Sequence, residues 1–156
     1  MIDFDKDLEP LKQLSRQRRS RVAVVQALCQ KFFLSDNDLE YIQKDIIKFY
    51  ESIFTKHAIE KTLNLDLFSL IFNYAVANQE EITTQIQKYL KVGWKFSEVA
   101  ENIQLILSAA VAEISANTET DAPVIINEYI EITKLFEDEK QAKFVNGVLE
   151  KIRRDL

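Results

Sequence analysis

The chain has 156 residues, of which 47% are hydrophobic and 29% charged, with a formal net charge of -5; this suffices for one domain with its own core and is too little for two. Two glycines and two prolines leave almost no material for hairpin turns, so the reading is all-α, and the same scarcity excludes Walker and dinucleotide-binding loops. A single cysteine and a single histidine exclude an internal disulfide and multi-cysteine zinc, and they argue against a His-based triad or a two-His metal site, so no enzyme activity, metal or cofactor is expected.

Residues 1–14 read as an acidic arm or short helix, with Asp3, Asp5, Asp7 and Glu9 against Lys6 and Lys12, and with Pro10 where only a first helical turn holds it. This start lacks the pattern of a signal peptide, and every apolar run falls short of the roughly 20 residues that cross a bilayer; the expectation is a cytoplasmic protein. Ser15 caps a helix to about Leu34 with the stripe Val22, Val25, Leu28, Cys29 and Phe32, which makes Cys29 a core residue. Asp36, Asn37 and Asp38 separate it from a second helix marked by Leu39, Ile42, Ile46, Phe49 and Ile53. Asn64 or Asp66 opens a third, with Leu67, Leu70, Ile71, Tyr74 and Ala75 inward, and Asn78 with Glu81 forms a capping box for a fourth that stops at Gly93.

Trp94 then sits in a connector, read as a hinge packed against the core. Ser97 starts a fifth helix to about Ala116, and its apolar content makes it central. Pro123 lies in the first turn of a sixth helix with Ile126, Ile130, Leu135 and Phe136 inward, and Asp138 with Gln141 caps a seventh that runs to the C-terminus. Residues 15–156 thus read as one compact bundle of about seven helices.

Two segments break local rules. Arg16, Arg18, Arg19 and Arg21 crowd a helix N-terminus, where the macrodipole disfavours each cation by roughly 0.3–1 kcal/mol. By helix angle they surround the first turn, which should project beyond the core. A phosphate backbone would reverse the sign of that penalty; a solvated charge run paired with the acidic arm is the alternative. The second segment is Lys140 to Leu149, where Asn146 and Gly147 stand inside a helix although Gly costs about 1 kcal/mol relative to Ala there. Val145, Val148, Leu149 and Ile152 define its buried face, Phe144 lies at the edge, and Lys140, Lys143, Gly147 and Lys151 fall beyond it. That flank suits a stacked base and its phosphates. The alternative is that Gly147 admits a neighbouring helix and Phe144 is core. Any nucleic-acid contact must come from a local patch, since the chain as a whole is acidic.

The C-terminal run, Ile126-Asn127-Glu128-Tyr129-Ile130-Glu131-Ile132 followed by Phe136 and Phe144-Val145-Asn146-Gly147-Val148-Leu149-Glu150-Lys151-Ile152, resembles the signature of the NusB family of transcription antitermination factors. Arg18-Arg19-Ser20-Arg21 leading to Val25-Gln26-Ala27-Leu28, and the run from Trp94 to Ile114, are similar to that family's opening and middle helices; residues 35–90 match only in helical pattern. The resemblance implies an all-α fold of two packed halves and a non-catalytic subunit that joins NusE, a ribosomal protein, on boxA RNA of nascent ribosomal RNA and helps RNA polymerase resist termination. It implies that Arg16, Arg18, Arg19 and Arg21 hold phosphates with Gln26 near them, and that Lys143, Phe144 and Asn146 contact RNA. Ile103-Gln104, Ser108 and Ala112 depart from the family pattern in a region that contributes to the NusE surface, and Pro123 displaces a basic residue. Two other readings are an RNA-recruiting domain of a ribosomal RNA cytosine methyltransferase and a helical interaction module or homodimer without RNA.

Overall fold

A computed structural model of the protein describes residues 8–34, 38–54 and 58–156, and for Leu8 the backbone only. The acidic positions before Leu8, the stop signals Asp36 and Asn37, and His57 lie outside the described residues. Among the described residues the chain forms nine α-helices and no strand: α1 Leu8–Gln13, α2 Arg16–Phe32, α3 Leu39–Ile53, α4 Ile59–Thr62, α5 Leu65–Ala77, α6 Gln79–Gln87, α7 Glu101–Ala116, α8 Ala122–Phe136 and α9 Glu139–Arg154, with a 3₁₀ turn at Phe96–Glu98.

The seven long helices are those expected from the sequence. α1 and α4 are short additions, and α1 places Leu11 at 0% exposure in the common core. α7 is the central element, packed against α2, α5, α6, α8 and α9. α2 with α3, α4 and α5 forms one half, and α8 and α9, which lie along each other, form the other with α7 between.

Most helix starts follow the expected caps. The side chains of Ser15, Asp38, Asn64 and Asp138 each accept a hydrogen bond from the backbone N–H three residues on, which satisfies one of the orphan donors of the first turn. Three expectations need correction. Asn78 does not cap α6; its amide nitrogen turns back to donate to the Tyr74 carbonyl at the end of α5 (2.9 Å), since one residue serves both helices. Ser97 does not start α7, because the 3₁₀ turn takes residues 96–98 and the helix opens after Ala100. Gly93 does not stop α6, which ends at Gln87; its φ of +91° is used in the turn before Trp94.

The buried faces shift in the same way. α2 is buried without interruption from Ser20 to Leu28, on all sides rather than along a stripe, since α3, α5, α7 and α8 surround it. Cys29 is half-buried against the core. Leu70 and Leu135, expected inward, are exposed, while Phe68, Phe72, Tyr50 and Tyr129 supply the large core side chains.

Candidate nucleic-acid interface

The four arginines of α2 do not fan into solvent. Arg21 is buried and forms a bidentate pair with Glu113 of α7, Nε to Oε1 at 2.8 Å and Nη2 to Oε2 at 2.7 Å. Glu113 is itself at 0% exposure and accepts two further hydrogen bonds, from the Tyr129 hydroxyl of α8 (2.9 Å) and from the Asn117 amide (3.2 Å). Burial alone would pull the Arg21 guanidinium down, but the hydrogen bonds and charge of Glu113 hold it above its ordinary range. Burial, reinforced by the charge of Glu113, raises the Tyr129 hydroxyl well above the usual tyrosine range. The cluster therefore sets a fixed cation and a neutral phenol on the Glu113 side chain, which is how charge is tolerated in a helical core.

Arg18 lies one turn nearer the surface and pairs with Glu128 of α8, Nε to Oε2 at 2.8 Å and Nη2 to Oε1 at 3.1 Å. Arg21 Nη1 stands 3.7 Å from the same carboxylate, so Glu128 is shared. The hydrogen bonds from Arg18 hold the Glu128 carboxyl below the usual carboxylate range and raise Arg18 in turn. Arg19 donates to the carbonyls of Thr62 (3.0 Å) and Leu14, and its guanidinium lies 4.7 Å from the Phe54 ring centroid. Arg16, exposed, donates to the Glu60 carbonyl (2.8 Å). Leu14 and Thr62 follow or end the short helices α1 and α4, so these cations meet the carbonyl ends of two helices and offset the unfavourable dipole of their own.

The expectation of a first turn that projects beyond the core is thus corrected: carboxylates and carbonyls from four other segments clasp it. Gln26 stands apart from the arginines. It is buried in the middle of α2, and its amide oxygen accepts from the Tyr50 hydroxyl at 2.7 Å, away from any surface. Sequence reasoning missed Glu113, Glu128 and Tyr129, since the pairs Arg21–Glu113 and Arg18–Glu128 span 92 and 110 positions of chain. The isolated Glu113 within the apolar run of α7 was the available signal.

The α9 flank keeps the shape read from its sequence. Lys140, Lys143, Asn146, Gly147 and Lys151 are exposed, while Phe144 is half-buried with its ring against the core. A Cβ at Gly147 would meet nothing within 4 Å, so the glycine admits no neighbouring helix, and that reading is withdrawn. Both patches lean on α8: Arg18 through Glu128, and α9 through packing along its length.

Of the departures near α7, Ile103 and Ala112 are at 0% exposure and form core rather than surface. Gln104 and Ser108 instead line a groove of about 470 Å³ between α2, α6 and α7, with Phe32, Phe33 and Phe96. Gln104 donates to the Val99 carbonyl at 2.6 Å and fixes the segment that leads into α7.

An all-helical bundle with an exposed lysine flank edged by Phe144 and an internally clasped arginine helix defines the class: a helical scaffold packed around the central α7. Residues 18–154 match the model of the NusB family, and the chain belongs to that family. It is 31% identical over 156 residues to the transcription antitermination protein NusB of Sinorhizobium medicae, covering 95% of this chain and 92% of that one. The structure of NusB from T. maritima superposes with a TM-score of 0.72 at 29% identity, covering 88% of this chain and 90% of that one. A NusB structure solved with NusE and dsRNA gives a TM-score of 0.74 at 20% identity over 89% of this chain and 96% of that one, which speaks for the fold.

Proposed function

We propose that this chain is a non-catalytic antitermination factor that binds boxA-type RNA of nascent ribosomal RNA together with NusE, as part of an RNA polymerase complex that resists termination. The observation that carries the reading is family membership over residues 18–154 combined with the exposed Lys143-Phe144-Asn146 flank of α9. The RNA contacts are Lys143, Phe144 and Asn146 with Arg16, Arg18 and Arg19; Arg21 and Gln26 act behind them, as the internal supports of α2. The groove at Gln104, Ser108 and Phe96 is the surface offered to NusE.

The match to the Sinorhizobium medicae antitermination protein spans 92% of that protein, which favours this reading over the methyltransferase domain. No helix of the described residues is long and apolar enough to cross a membrane.

The test is fluorescence anisotropy of a labelled boxA RNA across a salt series, with and without purified NusE. Affinity should fall as salt rises, because phosphate contacts release counterions. NusE should bind in the absence of RNA, by calorimetry, and then raise the RNA affinity, because the chain alone carries a net charge of -5. No RNA binding in either condition would overturn the reading, and absence of heat with NusE would remove the groove as its surface.

A further inference from the structure

Trp94 is expected from sequence to pack against the core, yet it is 54% exposed. Its exposure is not slack in the chain. Gly93 at φ +91° turns the backbone, the Trp94 N–H donates to the Lys91 carbonyl (3.0 Å), and the Gln87 side chain grips both sides of the segment. Gln87 Nε2 donates to the Trp94 carbonyl at 2.6 Å and Gln87 Oε1 accepts from the Phe96 N–H at 2.8 Å. A backbone fixed this firmly holds a large aromatic ring in water, where it gains little by burial.

What the ring faces is informative. Trp94 and Phe144 line the same cleft of about 390 Å³, together with Lys91, Lys140, Glu98 and Gln141. That volume is in the range of small-molecule sites. Lys91 and Lys140 have no carboxylate partner among the described residues, so their charge is free for an anion. Two aromatic residues and two uncommitted lysines on one cleft suit a flat, uncharged ring joined to phosphates, the chemistry of one unstacked nucleobase in a single strand.

We infer that the Trp94–Phe144 cleft is a nucleobase pocket: one base of single-stranded RNA enters between indole and phenyl while Lys91 and Lys140 meet its flanking phosphates. The inference rests on the RNA-binding reading above and adds a half-site, Trp94 with Lys91 and Lys140, on the far side of Phe144.

Trp94 is the single tryptophan of the chain, so its emission reports this pocket alone. The full chain is titrated with single-stranded oligo(C), oligo(A) and oligo(U) RNAs of 12 nucleotides and with boxA RNA, following tryptophan emission and, in parallel, anisotropy of the labelled RNA. Emission should be quenched in step with anisotropy for each RNA that binds, because stacking on an aromatic ring tolerates any base. Trp94→Ala should weaken binding about 5- to 150-fold, the equivalent of ~1–3 kcal/mol per stacked base, with the salt slope unchanged because indole carries no charge. Trp94→Phe should recover part of the loss, and thermal melts should show both variants folded. RNA that binds by anisotropy without altering Trp94 emission, and binds Trp94→Ala as it binds the parent, would overturn the pocket and leave RNA binding standing. Absence of RNA binding by both signals would overturn pocket and RNA reading together.

Discussion

Arg21 and Glu113 illustrate how a residue can carry a family's arginine-rich pattern and still be structural. A bidentate pair at 2.7 and 2.8 Å, with one partner at 0% exposure, leaves an uncompensated buried charge when either side is removed. Arg21→Ala should therefore destabilise the fold by about 3–5 kcal/mol in denaturant melts, whereas Arg16→Ala, which gives up a hydrogen bond to the exposed Glu60 carbonyl, should change stability by less than about 1 kcal/mol. Glu128 behaves differently because it is partly exposed and its carboxyl is held low by Arg18. A carboxyl whose folded pKa is depressed contributes stability above its unfolded pKa, near 4.3 as an approximate reference, and loses it as pH falls through the lower folded value. Glu128→Gln should flatten the acid limb of the stability profile from that range downward, as read by melts between about pH 6 and pH 3. An unchanged limb would show that the Arg18 pair is not maintained in solution.

At the scale of elements, the helices themselves were legible because their signals are local: caps three residues from their donors, apolar spacing, and almost no glycine. What was not legible required knowledge of neighbours. Asn78 has the residue type of a cap, but two helices compete for it, and the carbonyl of α5 wins. Leu70 follows a helical stripe yet faces solvent, since α5 packs between α2 and α7 on its Phe68, Ile71, Phe72 and Ala75 side. Hydrophobicity alone points Trp94 inward, while the turn at Gly93 and the grip of Gln87 leave it exposed. The α9 flank has the exposure that helix angle predicts, and of the two reasons for its glycine the close approach of a neighbouring helix is the one that falls. Gly147 is helical, exposed and has open space where a Cβ would stand, so Gly147→Ala should raise stability by roughly 0.5–1 kcal/mol in a chemical melt. The same variant should bind boxA RNA more weakly if the bare backbone of α9 lets the strand approach; a stabilised variant with parental RNA affinity would free the position from any role in recognition.

For the whole molecule, charge decides what the patches can do. A chain of net charge -5 repels RNA at long range, so binding depends on where cations stand free and where they are neutralised. Arg18 is held by Glu128, whereas Lys140 and Lys143 are exposed on α9. The two patches should therefore answer differently to mutation. Arg18→Ala removes a cation and leaves Glu128 with Arg21 alone, at 3.7 Å, to balance it, so all RNAs should bind more weakly, with the salt slope reduced by roughly 0.7–1 for the lost phosphate contact and sequence preference retained. Glu128→Gln, which frees Arg18, should move affinity the other way and tighten binding to every RNA. Phe144→Ala should cost about 1–3 kcal/mol of binding with little change in slope, since a stacked base contributes shape rather than charge. Phe144 is also half-buried against the core, so that variant should lose some stability, but less than the 3–5 kcal/mol typical of a fully buried Phe. Anisotropy across a salt series, paired with melts of the same three proteins, separates these outcomes. If Arg18→Ala leaves the slope intact while Phe144→Ala abolishes binding, the clasped arginine turn is purely structural and RNA is held by α9 and its cleft alone.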